Sequence, residues 1–377
     1  MTMSNPDPTA LLRFARIEAI HVRVPFRRPL LDATGEYTHR RSWLLRVVDE
    51  EGREGLGEAA LSPFAEEVTT SALARLIREL VPELAAGRPP VWSELAREGE
   101  PGRAAMAAVE GAIAALAVAQ GGNVSGADAV PVGATITFGG PDAGADAAAQ
   151  AVELGFETLK LRAGFERTTD QLVDRIRAIR AAVGPEPRLR VDAGGAWDLE
   201  TAAERIEAIE RLRIEFVEQP MAAWDVIGHS ALRERVRVPV ALDETIDSEG
   251  SARAALAEGA ADVLVVKPAR VGGVAATMRI AEAASAAGAS VVLGTYFETG
   301  VGIAAALRIA AEVQAAARRA GQATEPAHAL ATSGILVHDL LSEPLPIRNG
   351  RMAVPAAVAL DEAEVDRYAL ERFEARA

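Results

Sequence analysis

The stretch ETLKLRAGFERTTDQLVDRIRAIRAAVGPEPRLRVDA, residues 157–193, reads as strand, helix, strand. An apolar core at Leu159 and Leu161 marks the first strand, and an amphipathic helix follows that ends at Gly184 and Pro185. A strand returned to by way of a helix pairs in parallel with the strand before it. Residues two apart on a strand share a face, so Lys160 and Arg162 project together while Leu159 and Leu161 project the other way. Two neighbouring cations repel, and something anionic must lie opposite them.

Outward from this unit the same rhythm continues. Strands are expected at VGATIT (132–137), ETLKLR (157–162), RLRVDA (188–193), IEFVEQ (214–219), PVALDE (239–244), DVLVVK (262–267) and SVVLGT (290–295), with a weaker eighth near AHALATSG (327–334). About eight βα units close into a barrel. No glycine-rich phosphate fingerprint follows any of these strands, which argues against a dinucleotide-binding sheet.

The chain before the repeat has a different character. IEAIHVRVPF, a glycine-bearing loop DATGEYTHRR (32–41) and SWLLRVVDEEGREGLGEAA read as an antiparallel sheet with a hairpin at Glu51-Gly52, and helices follow from about residue 65 to 120, with a Pro/Gly break at EPGR. The tail LPIRNGRMAVPAAVALDEAEVDRY returns to short strand and turn signals. The expected organisation is an α+β capping unit over 1–128, a barrel over 129–340 and a C-terminal segment, 341–377, that packs back on the cap.

Composition narrows the function. Lys+Arg 40 against Asp+Glu 54 gives a formal charge of -14, which repels phosphate backbones and anionic lipid, so small molecules are the expected partners and neither nucleic acid nor membrane is. With no cysteine there is no thiol nucleophile, disulfide or Cys-based zinc site, in keeping with a reducing cytoplasm. The start MTMSNPDPTA lacks a basic-then-apolar leader pattern, and the most apolar helix, AAMAAVEGAIAALAVA, is short and interrupted by Glu110, as in a packed core helix.

Charge interrupts the apolar strands at their C-terminal ends, where a barrel builds its site. RLRVDA carries Asp192, IEFVEQ carries Glu218, PVALDE carries Asp243 and DVLVVK ends on Lys267. Three carboxylates that converge cannot all stay ionised without a cation, and hard oxygen donors without Cys or His suit Mg2+, with Mn2+ as a substitute. His21, His39, His229, His328 and His338 share no ligand spacing. Lys160 with Arg162 on one side, and Lys267 on the other, then flank the acids. A lysine there can exchange a proton near neutral pH, whereas an arginine holds its proton and stabilises an oxyanion. Removal of a proton alpha to a carboxylate uses both kinds of group. Thr295 at the end of the seventh strand, Glu298 after it, and Gly35 and Tyr37 in the first loop are candidates for substrate contact.

As a set, GLGEAALSP, LKLRAG, LRVDAGGAW, FVEQP, ALDET, LVVKPARVGG and YFETGVG resemble the enolase superfamily, specifically its muconate-lactonizing subgroup of cycloisomerases, o-succinylbenzoate synthases, N-succinylamino acid racemases and dipeptide epimerases. The resemblance implies a modified TIM barrel, (β/α)7β, with a capping domain, a homo-oligomer, Mg2+ on Asp192, Glu218 and Asp243, and Lys267 as acid/base opposite the strand of Lys160 and Arg162. It further implies that cap loops, here LDATGEYTHRR and the stretch from Ser62 to Glu66, select the substrate.

Two positions depart from the pattern. Arg162 stands where the family usually has a second lysine, and Gly194 where it often has asparagine. A racemase needs a base on each face, so arginine at 162 disfavours two-base epimerisation and leaves dehydration of the o-succinylbenzoate synthase type as the leading expectation, ahead of cycloisomerisation and racemisation. A catalytically inactive barrel that binds an acidic ligand is the expectation of another class.

Overall fold

The computed structural model describes residues 14–32, 35–122, 127–136, 140–321 and 325–377. The chain opens with strands β1 (Arg16–Asp32), β2 (Gly35–Val48) and β3 (Glu54–Ala60), then helices α1 (Glu67–Ala85), α2 (Trp92–Arg97) and α3 (Glu100–Ala119). β1, β2 and β3 pair antiparallel in sequence order, with the expected turn at Gly52. The reading of 32–41 as a loop is corrected: β1 and β2 continue as a hairpin, with Leu30 opposite Tyr37 and Asp32 opposite Gly35. Tyr37 and Thr38 are good strand formers, and pairing with β1 extends through them. EPGR does not break a helix but begins one: Gly99 sits before it at a φ of 71°, and Pro101 occupies the first turn, where its missing N–H is no loss.

One face of this sheet is covered by α1, through Leu73, Leu76, Ile77, Leu80 and Leu84, and by α3, through Ala104, Ala105, Ala108 and Ala112. The small side chains of α3 meet glycines on β3. A Cβ at Gly57 would stand 2.0 Å from the Ala108 carbonyl oxygen, and one at Gly55 would stand 2.1 Å from that of Ala112. Backbone-to-backbone approach of this kind is open only to glycine.

From residue 129 the chain runs β4 (Ala129–Pro131), β5 (Ala134–Ile136), α4 (Pro141–Glu153), β6 (Thr158–Arg162), α5 (Thr169–Val183), β7 (Arg188–Asp192), α6 (Leu199–Ile209), β8 (Ile214–Glu218), α7 (Val226–Arg235), β9 (Val240–Leu242), α8 (Glu249–Ala257), β10 (Val263–Val266), α9 (Pro268–Val271), α10 (Val274–Ala286), β11 (Ser290–Leu293) and α11 (Gly300–Arg319). Strands β5 to β11 form one curled, seven-stranded parallel sheet in sequence order. Thr137, the last residue of the first expected barrel strand, lies outside the described residues. The expected eighth strand is not a regular strand. The segment at Ala327–Leu330 nevertheless bonds to both edges of the sheet: Ala329 N donates to Leu293 O at 2.7 Å, and His328 bridges Val132 in parallel. Helix starts are capped from the sequence, with Thr168, Asp198 and Ser248 accepting backbone N–H bonds at the heads of α5, α6 and α8.

The sheet buries two layers. Leu159, Leu161, Leu189, Val191, Val217, Leu242, Leu264 and Leu293 pack outward under the helices, against Ile176, Ile179, Ile206 and Leu307. The alternate positions face inward, where Phe216, Ala241, Val263, Val265 and Val292 form a small interior cluster. The tail adds β12 (Ile347–Arg348), β13 (Arg351–Ala353), α12 (Glu362–Tyr368) and β14 (Ala369–Arg376). β13 pairs with β4, and β14 pairs antiparallel with β1. Two described helices, α3 and α11, are long and apolar enough to cross a membrane; here α3 packs on β3, and 78% of the most apolar window of α11 is buried inside the protein.

Candidate active site

Parity along each barrel strand decides what faces inward. Leu161, Val191, Val217 and Leu242 point to the helices, so their neighbours Arg162, Asp192, Glu218 and Asp243 point to the interior. Register then sets them side by side: Arg162 is opposite Asp192 on the next strand, and Asp192 is opposite Glu218. All three lie at C-terminal strand ends.

Lys160, one inward layer below Arg162, reaches up between two acids, with its Nζ 3.0 Å from Asp192 Oδ2 and 2.9 Å from Glu218 Oε1. Arg162 Nη1 donates to Asp192 Oδ1 at 2.8 Å. On the far side Lys267 Nζ donates to both oxygens of Asp243 at 2.6 Å. Arg270 Nη1 stands 3.8 Å from the same carboxylate. The structure therefore brings Lys160, Arg162, Asp192 and Glu218 into one contact network and pairs Asp243 with Lys267 beside it. Among the described residues no three acidic or histidine side chains already form a metal-binding group.

The acids feel one another nonetheless. Burial pushes the Glu218 carboxyl up to about 7, with Lys160 opposing and the Asp192 and Asp243 carboxylates adding to the rise. Burial also acts against ionisation of Asp192, but Lys160 and Arg162 prevail and hold it below the usual carboxylate range. Burial would lower Lys160; Asp192, Glu218 and Asp243 outweigh it and raise its affinity for its proton. Three buried carboxylates within electrostatic reach of a single ammonium form a hard, all-oxygen donor set that a divalent cation suits. Glu244, next to Asp243, has a buried Oε2 without a partner, so the same wall holds a further oxygen acceptor.

Supporting contacts fix this arrangement. Gln219 adopts a φ of 40°, and its Oε1 accepts from Asp243 N at 2.9 Å and Thr245 N at 3.2 Å. A left-handed non-glycine residue costs energy and persists where its surroundings hold it. Tyr296 lies 5.3 Å below Lys267 Nζ, ring to ammonium. Neither residue stood out in the sequence; Gln219 follows Glu218 directly, and a polar residue just past a buried strand end was the available signal.

Glu298 follows β11 and is buried. Its Oε2 accepts from Tyr296 N at 2.5 Å, and burial, opposed by Arg40 and reinforced by Glu58, pushes its carboxyl up to about 7. Thr295 Oγ1 lies 3.0 Å from Thr332 Oγ1 and accepts from Phe297 N at 3.3 Å. Gly35 and Tyr37 belong to the β1–β2 hairpin of the cap, and the Tyr37 ring meets Phe64 edge-on at 4.8 Å. That contact joins the two cap segments expected to select substrate. The glycines of RVGGV form a turn, with φ of 105° and 96°, and the anion its backbone faces is Glu110 of α3, whose Oε2 accepts from Ala275 N at 2.8 Å.

A groove of about 900 Å³ between α10 and α11 is lined by Met278, Glu282 and Ala316, and also by Ser290, which begins β11. It runs the length of α10, from Val274 and Ala275 at its head to Ser290, and none of the charged row lines it.

The fold and this inward row gather acids and amines at the C-terminal ends of a parallel βα sheet. The sequence model of the family described as enolase C-terminal domain-like matches residues 143–362. An o-succinylbenzoate synthase from Thermobifida fusca is 42% identical over 158 residues, 41% of this chain and 48% of that protein. In this match and in two others, at 33% and 34% identity, the aligned stretch spans less than half of the relative. An N-succinylamino acid racemase from Thermus thermophilus is 31% identical over 290 residues, 70% of this chain and 74% of that one. A dipeptide epimerase from Cytophaga hutchinsonii, solved with Mg and the dipeptide D-Ala-L-Val, shares the fold at a TM-score of 0.78 and 20% identity, over 96% of this chain and 99% of that chain. The chain belongs to the enolase superfamily.

Proposed function

We propose that this protein is a Mg2+-dependent enzyme that removes the proton alpha to a substrate carboxylate, with dehydration of the o-succinylbenzoate synthase type as its reaction. The observation that supports this most is the row itself: register aligns Arg162, Asp192 and Glu218, and Asp243 lies beside them on Lys267. Asp192, Glu218 and Asp243 would hold the cation. Bound there, Mg2+ supplies a Lewis acid that polarises the substrate carboxylate. The chain's own groups do the rest. Lys267, as the free amine, takes the alpha proton; Lys160 and Arg162 present fixed positive charge to the oxygens on which negative charge develops. In a dehydration the electron pair then forms the C=C bond as the beta hydroxyl leaves. Lys267 returns its proton to that hydroxyl, so that water is the net product. Tyr296 under Lys267 and the buried walls keep solvent from competing.

The similarity to an N-succinylamino acid racemase favours a second reading, in which the proton returns to the alpha carbon. Solvent deuterium separates the two. In D2O with Mg2+, a racemase washes label into recovered N-succinylamino acid, while a dehydratase forms a conjugated, ultraviolet-absorbing product. Lys267→Ala is expected to abolish both signals, a loss of at least about a hundredfold, with Mg2+ affinity retained. Full activity in that variant removes Lys267 from the mechanism. Mg2+ binding without turnover of any carboxylate tested favours an inactive binding protein.

A further inference from the structure

We infer that Arg162 and Gly194 act as one unit that makes the site one-sided for proton transfer, an inference that rests on the proposed chemistry for its consequence but not for its geometry. Asp192 Oδ1 accepts from Arg162 Nη1 at 2.8 Å and from the Gly194 backbone N–H at 3.1 Å. The guanidinium thus lies beside the turn that follows β7. A Cβ at 194 would stand 2.3 Å from Arg162 Nη2, 2.8 Å from its Cζ and 2.9 Å from its Nη1. All three atoms belong to the guanidinium at the end of the Arg162 side chain, so a side chain at 194 displaces that head from its bond to Asp192. Arginine at 162 in this pose and a side chain at 194 exclude each other.

The backbone at 194 has a φ of 55°, which glycine adopts without strain and which asparagine tolerates better than other residues. Asparagine at 194 therefore tests the clash with little backbone strain of its own. The functional consequence follows from the chemistry of the group so held. A guanidinium does not give up its proton near neutral pH, so the face opposite Lys267 carries a permanent cation in place of a proton carrier. Gly194 is thereby a specificity-determining position, although it offers the substrate no side chain.

A four-protein cycle tests the unit: the native chain, Gly194→Asn, Arg162→Lys, and both together. Thermal unfolding reads the geometry without any substrate. The expected result is a Tm several degrees lower in Gly194→Asn and restored in the double variant, because lysine has no planar head at that place; an equal loss in both backgrounds overturns the pairing. Chiral analysis of N-succinyl-L-valine incubated with Mg2+ reads the consequence. The double variant is expected to form the D enantiomer about a hundredfold faster than either single variant, the low end of what a placed proton-transfer group contributes. A double variant no faster than Arg162→Lys alone overturns the specificity role. Coupled Tm values with no D enantiomer formed by any of the four proteins contradict the one-sidedness while leaving the packing of the pair standing.

Discussion

Glu298 and His328 show how burial sets the charge of single residues. His328 is fully buried, is pushed down to about 3 by burial with help from Arg190, and bonds Leu293 N at 3.0 Å as a neutral ring. Glu298 shifts upward, from 4.5 to about 7. An acid whose folded pKa is raised lends full stability below its unfolded pKa and loses it as pH rises through the folded one. The loss attributable to Glu298 thus falls between about pH 4.5 and 7 and amounts to about 3 kcal/mol. Glu298→Gln, neutral at every pH, is expected to escape it. Urea unfolding of both proteins between pH 5 and 8 checks this: the variant gains on the native chain as pH rises, and a constant difference rejects the assignment. Strand parity made Lys160 and Arg162 legible from the sequence, and charge that interrupts apolar runs at C-terminal strand ends did so for Asp192, Glu218, Asp243 and Lys267, because neither signal needs knowledge of distant partners. Arg40 was not legible. It is fully buried on β2, donates to Leu61 O at 2.6 Å and shares charge with Glu298, more than 250 residues away, and nothing near it in sequence announces that.

Among elements, α3 shows what local pattern conveys and what it omits. Its alanine-rich run announces close packing, and its one interruption, Glu110, looks like a solvated flaw. The structure gives that carboxylate a task at the head of α10, where free backbone N–H groups and the helix dipole favour an anion. The partner of the small face, β3, is equally hidden from a sequence reading, because only tertiary approach explains Gly55 and Gly57. Gly57→Ala is expected to destabilise the protein by about 3 kcal/mol, since the methyl group would meet backbone that cannot rotate away. Denaturant unfolding that finds the variant within about 0.5 kcal/mol of the native chain contradicts that packing. The parallel strands were readable from their continuous apolar runs. The β1–β2 hairpin was misread as a loop because its polar outer residues carry no apolar alternation and only pairing reveals it.

Across the whole molecule, one carboxylate joins the cap sheet to the barrel. Glu58 of β3 accepts from Ser42 Oγ at 2.7 Å, Thr299 Oγ1 at 2.6 Å and Gly302 N at 3.0 Å, so the cap holds the first turn of α11 directly after Glu298. Beside the Glu110 contact to α10, Arg103 of α3 adds another tie, donating to Arg270 O at 2.8 Å, three residues past Lys267. The cap is thereby bonded to the segments that carry both Glu298 and Lys267. At this scale Asp192, Glu218 and Asp243 are proposed to serve one divalent cation. Calorimetric titration of Mg2+ or Mn2+ into the native chain, Asp192→Asn, Glu218→Gln and Asp243→Asn tests it directly. One site per chain, weakened more than about tenfold by each substitution, is the expected outcome. No binding to the native chain, or native affinity in any of the three variants, contradicts the shared site.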